Sequence, residues 1–170
     1  MPSDIKIPKV RVAVLIGKKG VTKRLLQKKL SVKLIISPEG DVEVIGEPFE
    51  MMVAIKVVRA IGRGFNPKIA LLLMNDTFHF DLFDMKDFAR SEADVHRVKG
   101  RLIGTQGKAW KTIEKLTEVD LAVYGHTVAL IGEIEKIEIA KLAVEKLMRG
   151  APHGKVYSFI DKMKGRLGGL

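Results

Sequence analysis

The sequence has no cysteine, which removes disulfide frameworks, cysteine nucleophiles and thiolate metal sites from consideration. Long apolar runs are missing too. The longest covers residues 69–74, six positions against the roughly 20 that a bilayer-spanning helix needs. The opening MPSDIKIPKV has no apolar signal region, so a cytoplasmic protein with no membrane partner is expected. Asparagine and glutamine are scarce, four in all (Gln27, Asn66, Asn75, Gln106), a bias against thermolabile side chains that suits a hot habitat. Hydrophobic residues nonetheless fill 46% of the 170 positions, enough for a packed core.

Acids are in deficit. Thirty Lys and Arg face twenty Asp and Glu, a net charge of +10. Residues 1–75 carry +8, residues 76–150 carry −1 and residues 151–170 carry +3. Between Gly17 and Lys33 lie Lys18, Lys19, Lys23, Arg24, Lys28 and Lys29, with no acid among them. Such a run is ordinarily a solvated helix face. Here it starts at a glycine loop, which points to a polyanionic partner.

Self-similarity fixes the organisation. A shift of 87 residues lays LIGKKG (15–20) on LIGTQG (102–107), and Val32 and Leu34 on Val119 and Leu121. With one residue fewer in the next turn, a shift of 86 lays Val42, Ile45, Gly46 and Glu47 on Val128, Ile131, Gly132 and Glu133. The same shift lays Ala54, Val58, Arg63 and Gly64 on Ala140, Val144, Arg149 and Gly150. The chain reads as a tandem duplication.

Each copy carries the same signals. A first strand (5–7 and 78–83) precedes a short helix (10–16 and 94–103), the glycine loop, and an amphipathic helix (21–30 and 108–117). VKLII and VDLAV, turns at Pro38-Glu39-Gly40 and Gly125-His126, and DVEVI and TVALI make two hairpins. The closing helices place Met51, Ala54, Val58 and Ile61, or Ile137, Ala140, Val144 and Leu147, on one stripe. The expected fold is α+β, with β-α-α-β-β-α domains at 1–64 and 77–150. A linking helix at 65–76 and a C-terminal helix with a basic tail at 151–170 complete it. Asn66-Pro67 is a good helix start, and KIALLLM is apolar nearly all round, which predicts burial between the two domains. Met52, Ile55 and Val57, off the core stripe, point to a shared apolar interface.

Gly-X-X-Gly between two helices has its own physical logic. Glycines fit where a Cβ would clash and where φ is positive, and they let a sugar-phosphate backbone approach the N-terminus of the second helix. Ile16 or Ile103, with the following strand, offers an apolar wall to unstacked bases. Small residues, Ala13 and Gly100, stand three positions before those isoleucines. The pattern resembles the type I KH (K-homology) nucleic-acid-binding domain, which implies a clamp on about four single-stranded nucleotides. The RNA-binding candidates in the first copy are Ala13, Ile16, the Gly17-Lys18-Lys19-Gly20 loop, Lys23, Arg24 and Lys33. In the second they are Gly100, Arg101, Ile103, the Gly104-Thr105-Gln106-Gly107 loop, Lys108, Trp110 and Lys111. GKKG brings two cations and GTQG two neutral side chains, so the first copy is expected to supply more of the salt-dependent affinity. Trp110 stands where the first copy has Lys23, and either stacks on a base or packs against the neighbouring domain.

Catalytic constellations are missing. His79, His96, His126 and His153 show no paired spacing, and the alternation around Phe78, Phe80 and Leu82 makes Asp81 and Asp84 strand markers before metal ligands. No enzyme activity, metal or cofactor is expected. IPKVRVAVLIGKKG, VHRVKGRLIGTQGKAWKTIE and ALIGEIEKIEIAK are similar to the archaeal homologues of the small-subunit rRNA-processing factor partner of Nob-one, or Dim-two. The resemblance implies binding at the 3′ end of small-subunit rRNA. It also implies two protein partners, a pre-rRNA endonuclease and the alpha subunit of initiation factor two. Eukaryotic members usually have a degenerate first glycine loop, whereas GKKG is intact, so both copies are expected to bind. Two other readings stay open: a KH protein for other single-stranded RNA or DNA, and a protein-interaction scaffold.

Overall fold

A computed structural model describes residues 3–168. The chain divides into two compact units, Met1–Phe80 and Asp81–Leu170. The first contains β1 (Ser3–Lys6), α1 (Val12–Ile16), α2 (Val21–Leu30), β2 (Lys33–Ile36), β3 (Asp41–Ile45), α3 (Pro48–Gly62) and a one-turn α4 (Pro67–Ala70). The second sheet opens with β4 (Phe78–Asp84), inside which the division falls. Then come α5 (Glu92–Ile103), α6 (Lys108–Thr117), β5 (Asp120–Tyr124), β6 (Thr127–Glu133), α7 (Ile134–Met148) and α8 (His153–Gly168). Each copy therefore runs β-α-α-β-β-α and then adds a further helix.

The sheets repeat one topology, β1-β3-β2 and β4-β6-β5, with the last strand of each copy in the centre. β3 pairs antiparallel with both neighbours, Ile5 opposite Val42 and Leu34 opposite Val44, and these four side chains face the core. Strand alternation leaves Ile35 and Ile45 exposed on the other face. In the second sheet Leu121 pairs with Leu130 and Val123 with Val128 on the core side. There Ala122, Ala129 and Ile131 are buried as well. Each hairpin turn is tied to the segment after the first strand of its copy: Ile7 N–H donates to Gly40 O at 2.8 Å, and Met85 N–H to His126 O at 2.7 Å.

Pro48 stands in the first turn of α3, and the stripe Met51, Ala54, Val58, Ile61 is buried, as is Ile137, Ala140, Val144, Leu147 in α7. Each stripe backs a sheet and the paired helices of its own unit.

The connecting segment departs from expectation. It is one α-turn and a 3-10 turn (Leu71–Met74), and only Ala70 and Leu73 are buried, with Leu72 and Met74 exposed. It packs on α3 of its own unit. The reason is visible in the repeat: Ala70 and Val156, 86 residues apart, are both fully buried, so α4 is a truncated counterpart of α8. One docking stripe needs two apolar positions, and the remaining leucine and methionine stay open. Met52 is likewise open, while Val57 belongs to the core. Asn66 caps α4 as its sequence suggests, its Oδ1 accepting Ile69 N–H at 2.9 Å.

Candidate nucleic-acid interface

Both glycine loops fold into a single 3-10 turn, Lys18–Gly20 and Thr105–Gly107. Their backbones superpose in dihedral space. Gly17 and Gly104 have φ 74°, Lys19 and Gln106 have φ 54° and 56°, and Gly20 and Gly107 have φ 75° and 74°. The first glycine is required twice over. Its φ is left-handed, and a Cβ would run into Thr22 in one copy and stand 2.7 Å from the Ala109 Cβ in the other. Lys19 and Gln106 hold the left-handed region at a cost of about 1 kcal/mol each.

After the loops, α2 and α6 start with no side-chain cap and no acid in the first turn. By contrast α5 is capped by Ser91, whose Oγ accepts Asp94 N–H at 3.2 Å. Uncapped N–H groups at the positive end of a helix suit an anion. Around the first loop Lys18, Lys19 and Lys33 are exposed and Lys23 is half-buried. Arg24 folds back, its guanidinium donating to Lys19 O at 2.8 Å and bracing the turn. Around the second, Thr105, Gln106, Lys108 and Lys111 are exposed and no arginine braces the turn. Ile16 and Ile103 are half-buried beside their loops. Ala13 and Gly100 are exposed, and a Cβ on Gly100 would meet nothing within 4 Å. Intramolecular packing does not ask for that glycine.

Two predicted contacts point inward instead. Arg101 donates from Nε to Leu147 O at 3.2 Å and from its terminal nitrogen to Ala151 O at 2.6 Å, closing the end of α7. Arg11 does the same in the first unit, to Ile61 O and Phe65 O at 2.8 Å each. The two arginines are 90 residues apart, one helical turn out of register with the repeat, so alignment of the copies hides the shared role. Trp110 packs against the core of its own unit, and its indole N–H donates to Glu114 Oε1 at 2.7 Å. The Glu114 Oε2 accepts Leu121 N–H at 2.9 Å, as Gln27 Oε1 accepts Leu34 N–H at 2.9 Å in the first unit. Burial pushes the Glu114 carboxyl up, and the neighbouring Asp120 adds to the shift. Asp120 stands where the first copy has Lys33, and burial raises its pKa as well.

Beside the GTQG loop lies a cleft of about 540 Å³. Arg97, Gly100, Gly104 and Lys108 line one side, and His153 and Tyr157 of α8 the other. Arg97, His153 and Tyr157 were not picked out as contacts by sequence. For Arg97 a signal existed: it sits three and seven residues before Gly100 and Gly104, on the same side of α5. Asp81 and Asp84 are engaged elsewhere, Asp81 with Lys141 at 2.9 Å and Asp84 with His126 at 2.9 Å. Among the described residues no helix is long and apolar enough to cross a membrane.

A family model for the second KH domain of Pno1, a eukaryotic-type KH domain (type I), matches residues 79–165. A KH domain-containing protein of Methanocaldococcus jannaschii is 47% identical over 168 residues, 96% of this chain and 74% of that protein. The chain belongs to the Pno1 family of KH proteins. The pre-rRNA-processing protein pno1 of Schizosaccharomyces pombe is a more distant Pno1 relative, 30% identical over 71% of this chain. This chain spans about half of that protein, 51%. Among solved structures, the Pyrococcus horikoshii complex of a/eIF2alpha, aDim2p and rRNA matches with a TM-score of 0.90 and 40% identity, covering 98% of this chain and 95% of that one. The archaeal similarities take in both units, so the Pno1 relationship extends past the segment that the family model matches.

Proposed function

We propose that this protein binds single-stranded RNA in the 3′-end region of small-subunit rRNA during ribosome maturation, through two tandem type I KH domains and without catalysis or cofactor. The observation that carries this reading is the pair of glycine loops. They share one left-handed backbone conformation, each opens an uncapped helix, and each lies beside a small exposed residue. The archaeal relative solved with rRNA and a/eIF2alpha supports both the target and the alpha subunit of initiation factor two as a partner. A pre-rRNA endonuclease is the second partner, and the cytoplasm is the site of action.

The test compares an RNA carrying the 3′-end sequence of small-subunit rRNA with DNA of the same sequence and with a scrambled RNA. The cognate RNA should bind most tightly. Neutralising about four to six phosphates at a slope near −0.7 each gives d log K/d log[salt] of roughly −3 to −4. Equal affinity for all three would make it a KH protein for single-stranded nucleic acid at large, and no binding of any of them would leave the fold as a protein scaffold.

A further inference from the structure

The cleft beside GTQG continues along α5. Arg97 lines both it and a second cleft of about 830 Å³ between the 87–94 segment and the end of α7. Arg90 and Arg149 line the second cleft too. Two of the three guanidinium groups are held in place. Arg97 donates Nε to Asp94 Oδ1 at 2.7 Å. Arg149 lies 5.1 Å over the Phe88 ring and donates to Glu145 Oε1 at 3.1 Å. Those contacts occupy one side of each group, leaving the other N–H groups without a partner among the described residues. Arg90 has no side-chain hydrogen bond or ion pair among the described residues.

Acids also line the cleft. Asp94 is already used by the Arg97 guanidinium and by Arg90 N–H, which hold its carboxyl below the usual range, so it orients a cation before it repels an anion. Asp87 stands exposed. The N-terminus of α5 is closed by Ser91, so the attraction belongs to the arginines.

The first unit lacks this arrangement. Arg63 matches Arg149 in the repeat, but an exposed Val10 stands where the second unit has Arg97, and Arg90 lies in the longer segment between β4 and α5, which the first unit does not have. The loops trade in the opposite sense, two lysines in the first and none in the second. A planar guanidinium matches phosphate oxygens in pairs, which a lysine ammonium does not.

We propose that the second cleft is a further backbone site for the strand held at GTQG. Arg90, Arg97 and Arg149 grip phosphodiester groups beyond those at the loop, and the Arg149–Phe88 stack backs the passing nucleotide. Arg97 lies seven residues before Gly104, about 10 Å along the helix, so a strand leaving the loop reaches it directly. This inference rests on the RNA-binding reading.

The experiment measures the intact protein and its Arg90→Ala/Arg149→Ala variant against single-stranded RNAs of about five and about twelve nucleotides, with a salt titration of each. Neither arginine touches the glycine loop. The variant should bind the long RNA at least fivefold more weakly, with a salt slope smaller by about 1.4 for two lost phosphate contacts. Its affinity for the short RNA should stay within about twofold. Arg90→Lys/Arg149→Lys, with equal thermal stability, should recover most of the slope and less of the affinity, separating charge from a folding defect. Wild-type binding with unchanged long-RNA affinity and slope in the alanine variant overturns this proposal alone. Failure of the wild type to bind either RNA overturns the RNA reading and this one with it.

Discussion

Glu114 serves two donors at once, the Trp110 indole and Leu121 N–H, whereas Gln27 in the matching place serves Leu34 N–H alone, with Lys23 in the place of the tryptophan. Glutamine has one acceptor oxygen and two donor hydrogens, so it fits where one N–H arrives and fails where two converge. Glu114→Gln should therefore cost about 1 kcal/mol at neutral pH, and less in a Trp110→Phe background, where the second donor is gone. A double-mutant cycle of urea unfolding reads the difference. The carboxyl also has a pH signature. Its folded-state pKa is raised, first by burial, so the proton-linked part of its contribution is complete below the unfolded value and is lost as pH rises through the folded one. Asp120 acts in the same direction. Stability should fall over a window just above the usual carboxylate range, and Glu114→Gln should flatten that fall. None of this was legible in the sequence. Trp110 read either as stacking on a base or as packing against the neighbouring domain, because a lone tryptophan on a basic helix carries no mark of a hydrogen bond within its own unit.

At the scale of the element, α5 divides its circumference among three tasks. Val98 and Leu102 are fully buried, Arg101 ties down α7, and Arg97 and Gly100 line the cleft at the loop. Gly100 lies inside the helix with open space where a Cβ would be, so Gly100→Ala should raise stability by about 0.5–1 kcal/mol. Gly100→Leu should fold equally well yet weaken RNA binding at least tenfold, because the larger side chain fills the ligand's space. Thermal unfolding and an RNA titration of both variants separate the effects. If Gly100→Leu binds as wild type, the open face of α5 is not on the RNA path. The elements themselves were largely legible, since apolar stripes and glycine punctuation are local signals that both copies repeat. The arginine cleft was not. Arg90, Arg97 and Arg149 come from a loop, a helix and the end of another helix, and only the chain's return through α7 joins them.

At the scale of the whole molecule, two loops on one chain make the second contact with a long RNA an intramolecular event. Lys18→Asp/Lys19→Asp and Thr105→Asp/Gln106→Asp place charge at exposed turns while keeping every glycine. Each should weaken a long RNA at least tenfold, about 1.4 kcal/mol, with little change in melting temperature. An RNA of about five nucleotides should respond to one pair only. Full-strength binding of the long RNA by the second variant would make the first unit the sole reader. Duplication was plain from sequence because the same residue types recur at a fixed shift, and it misled where function had moved off that shift. Arg11 and Arg101 hold equivalent carbonyls from places one turn apart. A genetic crossover between the two halves falling inside that three-residue window would yield one hybrid helix with two anchors and one with none. The second would lose hydrogen bonds to charge worth about 1.5–3 kcal/mol each. Sequence exchange that would otherwise keep tandem copies alike is penalised at this point, and the halves are left free to diverge.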